Sequence, residues 1–271
     1  MTILKVTGLT ILDERTGDTL VKDSSFQLKK GTCLAIAGES GSGKSLTCRA
    51  LMRLNQPGLK ETGTILFKGE DISLFTKKEM RKKRGREIYM IMQNGMTAFD
   101  PSSVIGVHLK QAAAEHFDWS AEETERKLHW ALESVLLKNP GEVMNHYPHQ
   151  LSGGMMQRVM IALALVLEPD LIIADEPTTA LDAITQYEVM NELSRLRERI
   201  GCSMIFVSHD LAMVRKIADE LLVMKEGEIV ECGTVESVFR KPKNDYTSYL
   251  ISTRQALSDH FTSLMGSREQ C

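Results

Sequence analysis

Gly38-Glu39-Ser40-Gly41-Ser42-Gly43-Lys44-Ser45 is the stretch on which the reading of this 271-residue chain turns. It fits G-x-x-x-x-G-K-[ST], with Cys33-Leu34-Ala35-Ile36-Ala37 before it and a helical pattern from Lys44 after it. An apolar run of that length, bounded by Gly31 and Gly38, is what a strand buried on both faces of a sheet requires. The glycines let the backbone wrap so that N–H groups point inward, and the N-terminus of the following helix adds positive potential. Lys44 then neutralises charge on the β- and γ-phosphates of a nucleotide, and Ser45 offers its hydroxyl to Mg²⁺. A glycine-rich turn that binds nothing is the competing reading, and the flanking strand and helix speak against it.

Further along, Leu171-Ile172-Ile173-Ala174-Asp175-Glu176 is an apolar strand ending in two acids, which places both at the carboxyl edge of a sheet, where open α/β folds bind ligands. Asp175 is the candidate for the Mg²⁺ shell. Because strand side chains alternate, Glu176 is expected to point away from Asp175, placed to orient or deprotonate a water. Two strand-end acids with only a dipole or solubility role are the alternative. Gln93 follows the strand-like Ile88 to Met92, and His209 follows Ile205-Phe206-Val207-Ser208. Both lie at strand ends where a polar side chain reaches a phosphate or its metal. Taken singly, each also has an ordinary structural reading.

Outward from these motifs the pattern is α/β. Ile3 to Leu12 and Thr19 to Leu28 predict two N-terminal strands, and Thr62 to Phe67 and Glu87 to Met92 two more. The basic run Lys77 to Arg86 reads as a solvated helix face. Strand-like runs vanish from about Met96 to Gln150, where Ala121 to Leu137 gives the clearest helical spacing, with Leu128, Ala131, Leu132 and Val135 on one face. Helices over Gly153 to Leu167 and Ala183 to Ile200 alternate with strands Leu171 to Ala174 and Ser203 to Val207, the order of a parallel sheet. Leu221 to Lys225 and Glu228 to Glu231 form a hairpin about Glu226-Gly227, and a helical tail begins near Asn244.

Composition removes several function classes. The 36 acidic and 33 basic residues leave a net charge of −3, so no global positive field holds nucleic acid. The longest apolar stretch, Val159 to Leu167, is about half of the roughly 18 residues a membrane span needs. Residues 1–12 lack a leader pattern, so cytoplasmic residence is expected. Cys33, Cys48, Cys202, Cys232 and Cys271 are scattered, which predicts neither a disulfide framework nor a zinc ribbon. His146 and His149 have no carboxylate or thiol at ligand spacing and read as structural.

Leu151-Ser152-Gly153-Gly154-Met155-Met156-Gln157-Arg158, between the phosphate loop and the acidic strand, closely resembles the signature of ATP-binding-cassette ATPases. Ser152 is a good N-cap and the two glycines permit close backbone approach, so this helix start is a second anion site. The resemblance implies ATP and Mg²⁺ as cofactors. It places Gly38 through Ser45, Asp175, Ser152, Gly153, Gly154, Gln157 and Asp182 at the nucleotide, with Ser45, Gln93 and Asp175 around Mg²⁺. It makes Lys44, Gln93, Glu176 and His209 the catalytic set and Thr179-Ala180-Leu181-Asp182 the D-loop. In this family each signature covers the nucleotide held by another cassette, so two cassettes meet head to tail.

Ile91-Met92-Gln93-Asn94, Tyr147-Pro148-His149, the run Ala174 to Asp182 and the tail Lys241 to Leu250 are similar to the oligopeptide, dipeptide and nickel importer branch. That similarity implies a P-loop NTPase core with a mixed or parallel sheet, an N-terminal antiparallel β subdomain and an inserted helical subdomain. The expected division is 1–95 with 151–240 as the ATPase core, 96–150 as the helical subdomain and 241–271 as a helical tail. The implied function is a peripheral ATPase on the cytoplasmic membrane face that powers import of nickel, cobalt or a metal chelate, with di- or oligopeptides as the alternative cargo. Its partners would be a second, different cassette, two membrane permeases and, indirectly, an extracytoplasmic binding protein, without nucleic acid. No iron–sulfur cluster is expected, because Cys232 and Cys271 are isolated. The competing class, a soluble cassette ATPase of DNA repair or translation, would need a long coiled coil or a second phosphate loop, and the sequence has neither. The loop from Leu9 to Asp18 holds no aromatic residue, which leaves Ile11 or Leu12 as the expected contact to the base.

Overall fold

The computed structural model describes residues 1–179 and 181–253. Ten strands are present among them: β1 (Thr2–Asp13), β2 (Thr19–Lys29), β3 (Cys33–Ala37), β4 (Leu59–Phe67), β5 (Glu70–Asp71), β6 (Ile88–Ile91), β7 (Leu171–Asp175), β8 (Ser203–Val207), β9 (Glu220–Lys225) and β10 (Glu228–Thr234). Nine helices join them: α1 (Lys44–Leu51), α2 (Lys77–Lys83), α3 (Ile105–Ala114), α4 (Ala121–Ser134), α5 (Pro140–Asn145), α6 (Gly153–Leu167), α7 (Ala183–Ile200), α8 (Leu211–Ile217) and α9 (Val235–Arg240). Residues 245–253 are also helical; the rest of the expected tail lies outside the described residues.

The strands form two sheets. An antiparallel sheet runs β2-β1-β4-β5, and a mixed sheet runs β10-β9-β3-β8-β7-β6, parallel except for the β9–β10 hairpin. Each central strand of the mixed sheet is buried along its whole length, and period-two alternation divides its side chains between two cores. Leu34, Ile36, Leu171, Ile173, Ile205 and Val207 face the antiparallel sheet and α1. Cys33, Ala35, Ala37, Ile172, Ala174, Met204 and Phe206 face the helices α3, α4, α6 and α7.

The helix expected over Ala121 to Leu137 stops at Ser134, because Leu136 adopts a left-handed backbone (φ 63°) that ends the hydrogen-bond ladder. Val135 and Leu137 remain buried beyond it, so the apolar pattern outlasted the helix. Strand β4 begins three residues before the expected Thr62, where Leu59, Lys60 and Glu61 pair with Asp13, Leu12 and Ile11. Their mixed polarity conceals a strand whose backbone partners were already in place.

Candidate active site

The phosphate loop joins β3 to α1 and is braced from behind by the β9–β10 turn. The Gly227 N–H donates to the Ser42 carbonyl at 3.2 Å, and the Gly227 carbonyl accepts from Lys22 N–H at 2.8 Å. A Cβ on Gly38 would run into the Met224 carbonyl oxygen, which is backbone and cannot yield, so only glycine allows this approach.

Lys44 is 4% exposed, and its Nζ donates to the carbonyls of Gly38 (2.9 Å) and Glu39 (2.7 Å). Burial pulls its pKa down, while the carboxylates of Glu176 and Asp175 work against that. Ser45 donates its hydroxyl to Asp175 Oδ1 at 2.9 Å, tying the helix start to the end of β7. Burial pushes the Asp175 carboxyl above its ordinary range, partly offset by the bond from Ser45.

Glu176 is turned by a different device from the one expected. Strand β7 ends at Asp175, and Glu176 itself adopts a left-handed conformation (φ 46°), so a backbone reversal and not strand alternation aims its side chain. Its amide stays anchored to the Val207 carbonyl at 3.0 Å. Its Oε2 accepts from Thr179 Oγ1 (2.8 Å) and Gln93 Nε2 (3.3 Å) and lies 3.5 Å from His209 Nδ1. Three side chains from three loops thus converge on one carboxylate oxygen. A cleft of about 550 Å³ is lined by Glu39, Ser40, Gly41, Gly43, Lys44, Ser45, Leu46, Gln93, Glu176, Thr179 and His209. The Thr179 hydroxyl was not foreseen as a partner of Glu176; a threonine three residues after the acid was its only trace in sequence.

The signature residues lie elsewhere. Ser152 caps α6, its hydroxyl accepting from Met155 N–H at 3.3 Å, and Ser152 and Gly153 are exposed, outside the cleft lining. Gly154 is buried against Thr185, with no room for a Cβ. Gln157 is 3% exposed, and its Nε2 donates to the carbonyls of Met92 (3.0 Å) and Gln93 (3.2 Å). That carboxamide therefore faces the backbone leading into Gln93, not the open end of the helix where a nucleotide was expected. Asp182 caps α7, accepting from the amides of Ile184 and Thr185, both at 3.1 Å, and from the Thr185 hydroxyl at 2.7 Å. The hydroxyl bond from Thr185 leads in holding its pKa below the usual carboxylate range. Ala180 lies outside the described residues. Ile11 is fully buried, so of the two expected base contacts only Leu12, half-buried, retains accessible surface.

Among the described residues no group of three or more His, Cys, Asp or Glu is arranged to hold a metal ion, and no helix is long and apolar enough to cross a membrane. Cys33, Cys48 and Cys202 are buried thiols and Cys232 is exposed.

The family model described as ABC transporter matches residues 21–179, more than half of the chain. The metal-staphylopine import system ATP-binding protein CntD of Staphylococcus aureus is 47% identical over 265 residues, 98% of each chain. The oligopeptide transport ATP-binding protein OppD of Bacillus subtilis is 42% identical over 239 residues, 88% of this chain and 67% of that protein. A dimeric, post-hydrolysis structure of the ATP-binding cassette MJ0796 bound to ADP and Pi superposes with a TM-score of 0.76 at 27% identity, covering 86% of this chain and 98% of the other. With the two-sheet architecture shared and near-half identity running from end to end, this chain belongs to the ABC transporter family, as one of its ATPase subunits.

Proposed function

We propose that this chain binds and hydrolyses Mg·ATP to drive import through a membrane permease, with a metal ion or metal chelate as cargo. Convergence of Gln93, Thr179 and His209 on the Glu176 carboxylate, beside a phosphate loop, carries the hydrolytic part of the reading. Such a carboxylate, held by neighbours and open to a cleft, is placed to orient a water and take its proton as it attacks the γ-phosphorus. Lys44 leaves the carbonyls of Gly38 and Glu39 and turns to the phosphates, exchanging two neutral acceptors for anionic ones. His209 meets the γ-phosphate from the end of β8.

Ser45 and Asp175 fit Mg²⁺, an oxygen-seeking cation. Their oxygens are 2.9 Å apart, and burial makes a bare Asp175 carboxylate costly until a cation compensates it. Ser45, Asp175 and Gln93 would hold the ion, whose contribution is to neutralise charge developing on the phosphate oxygens.

The exposed start of α6 supports a shared site. Ser152 and Gly153, with Gly154 buried behind them, present a helix N-terminus away from this chain's own cleft, the arrangement needed to close over nucleotide on a second cassette. We take that partner to be a different cassette, with two permeases and an extracytoplasmic binding protein completing the importer at the cytoplasmic membrane face. Residues 1–95 and 151–240 would form the ATPase core, 96–150 the helical subdomain that receives the permease, and 241–271 the tail.

Metal cargo rests on the 47% identity to a metal-staphylopine import protein along 98% of both chains. Peptide cargo is the second reading, supported by 42% identity to OppD and 40% to the dipeptide transport protein DppD of Bacillus subtilis. Cells lacking the gene should lose uptake of Ni²⁺, Co²⁺ or a chelated relative and keep di- and oligopeptide uptake. Unchanged cellular metal with lost peptide uptake would assign the cargo to peptides.

A further inference from the structure

The phosphate loop has an unexpected neighbour from the far end of the chain. Tyr246 places its hydroxyl 3.0 Å from the Glu39 N–H and accepts its hydrogen bond across 207 residues of sequence. The Glu39 carbonyl, on the other side of the same residue, is one of the two that hold Lys44. Without nucleotide the outer limb of the loop is therefore held at both its donor and its acceptor, and Glu39 lines the cleft. The Lys44 bond is given up when the ammonium turns to the phosphates, which leaves the Tyr246 bond as the lasting one.

Tyr246 is itself held firmly. The Glu231 carboxylate on β10, 9% exposed, accepts from the backbone amides of Lys243 (2.9 Å) and Asn244 (3.1 Å). Asn244 Oδ1 in turn accepts from the Tyr246 amide at 2.9 Å. The Lys225 ammonium lies 5.2 Å from the centre of the Tyr246 ring, and Tyr246, Leu250 and Ile251 pack on the main core. A hydroxyl carried on a segment anchored this way is a fixed acceptor.

We propose that Tyr246 is a positioning residue for nucleotide binding, and that the C-terminal segment holds the Gly38-Glu39 limb of the phosphate loop in its binding shape. This rests on the reading of the cleft as the ATP site. A loop ordered before binding surrenders less conformational freedom when the phosphates arrive, so the brace acts on affinity and leaves the chemical step alone.

The test titrates Mg·ATP into the full chain and its Tyr246→Phe variant, which keeps the ring and removes the acceptor. The dissociation constant should rise about three- to tenfold, the range set by one hydrogen bond, with kcat at saturating ATP unchanged. Hydrogen exchange at the Glu39 amide should accelerate. Glu231→Ala, which releases the segment, should weaken ATP binding similarly, and the double variant should be no weaker than the worse single one, since both act through one contact. An unchanged or tighter ATP constant in Tyr246→Phe, or full additivity in the double variant, would overturn the proposal while leaving the ATPase reading intact. Absence of ATP binding by the unaltered chain would overturn both.

Discussion

At the scale of single residues, the proposed chemistry depends on where one backbone reverses. Glu176 occupies a left-handed conformation that an L side chain adopts at a cost of order 1 kcal/mol, and the Val207 carbonyl holds its amide there. Replacing it by glutamine preserves the shape and removes the proposed base. Glu176→Gln should bind ATP with near-normal affinity and hydrolyse it about 10²- to 10⁴-fold more slowly. Lys44→Ala should instead lose nucleotide binding, because the buried ammonium is the only side-chain cation lining the cleft among the described residues, His209 aside. Nucleotide titration with single-turnover phosphate release separates the two phenotypes, and normal turnover by Glu176→Gln in the presence of its partner would remove Glu176 from the mechanism.

At the scale of elements, strand β10 carries the anchor of the C-terminal segment. Burial raises the Glu231 pKa, and the Lys243 amide, the Thr247 hydroxyl and the Asn244 amide together outweigh it, so the net direction is downward. A depressed carboxyl binds fewer protons in the folded chain than in the unfolded one. Its contribution to stability is thus fully present at neutral pH and fades as acid carries the solution below the ordinary carboxylate range. Thermal melts of Glu231→Gln and the unaltered chain should differ most near pH 7 and converge at low pH. A difference independent of pH would mean that the carboxylate's charge contributes nothing. Legibility follows from the same distinction between local and distant effects. The phosphate loop, the acidic strand and the cap at Ser152 could be read directly, because each needs particular residue types at short spacing within one element. The turn of Glu176, the inward face of Gln157 and the contact from Tyr246 could not. They depend on a backbone reversal, on helix packing and on two segments 207 residues apart.

At the scale of the whole molecule, the shared site proposed above, built on the exposed α6 start and the cleft, predicts that activity requires two cassettes. Purified alone and diluted, the protein should lose specific ATPase activity as its concentration falls, and adding the partner cassette should restore it. Constant specific activity down to the dilute monomer would refute the shared site. The mixed sheet that carries these features separates two cores, with neighbouring residues of β3 serving opposite ones: Leu34 and Ile36 on one side, Cys33, Ala35 and Ala37 on the other. A substitution at any of these positions disturbs a single core. Losing one codon within Cys33–Ala37 is a different kind of event, because every side chain beyond the gap exchanges faces and both cores are mispacked together. In a genetic screen this strand should tolerate conservative replacements such as Ile36→Val and reject every in-frame deletion.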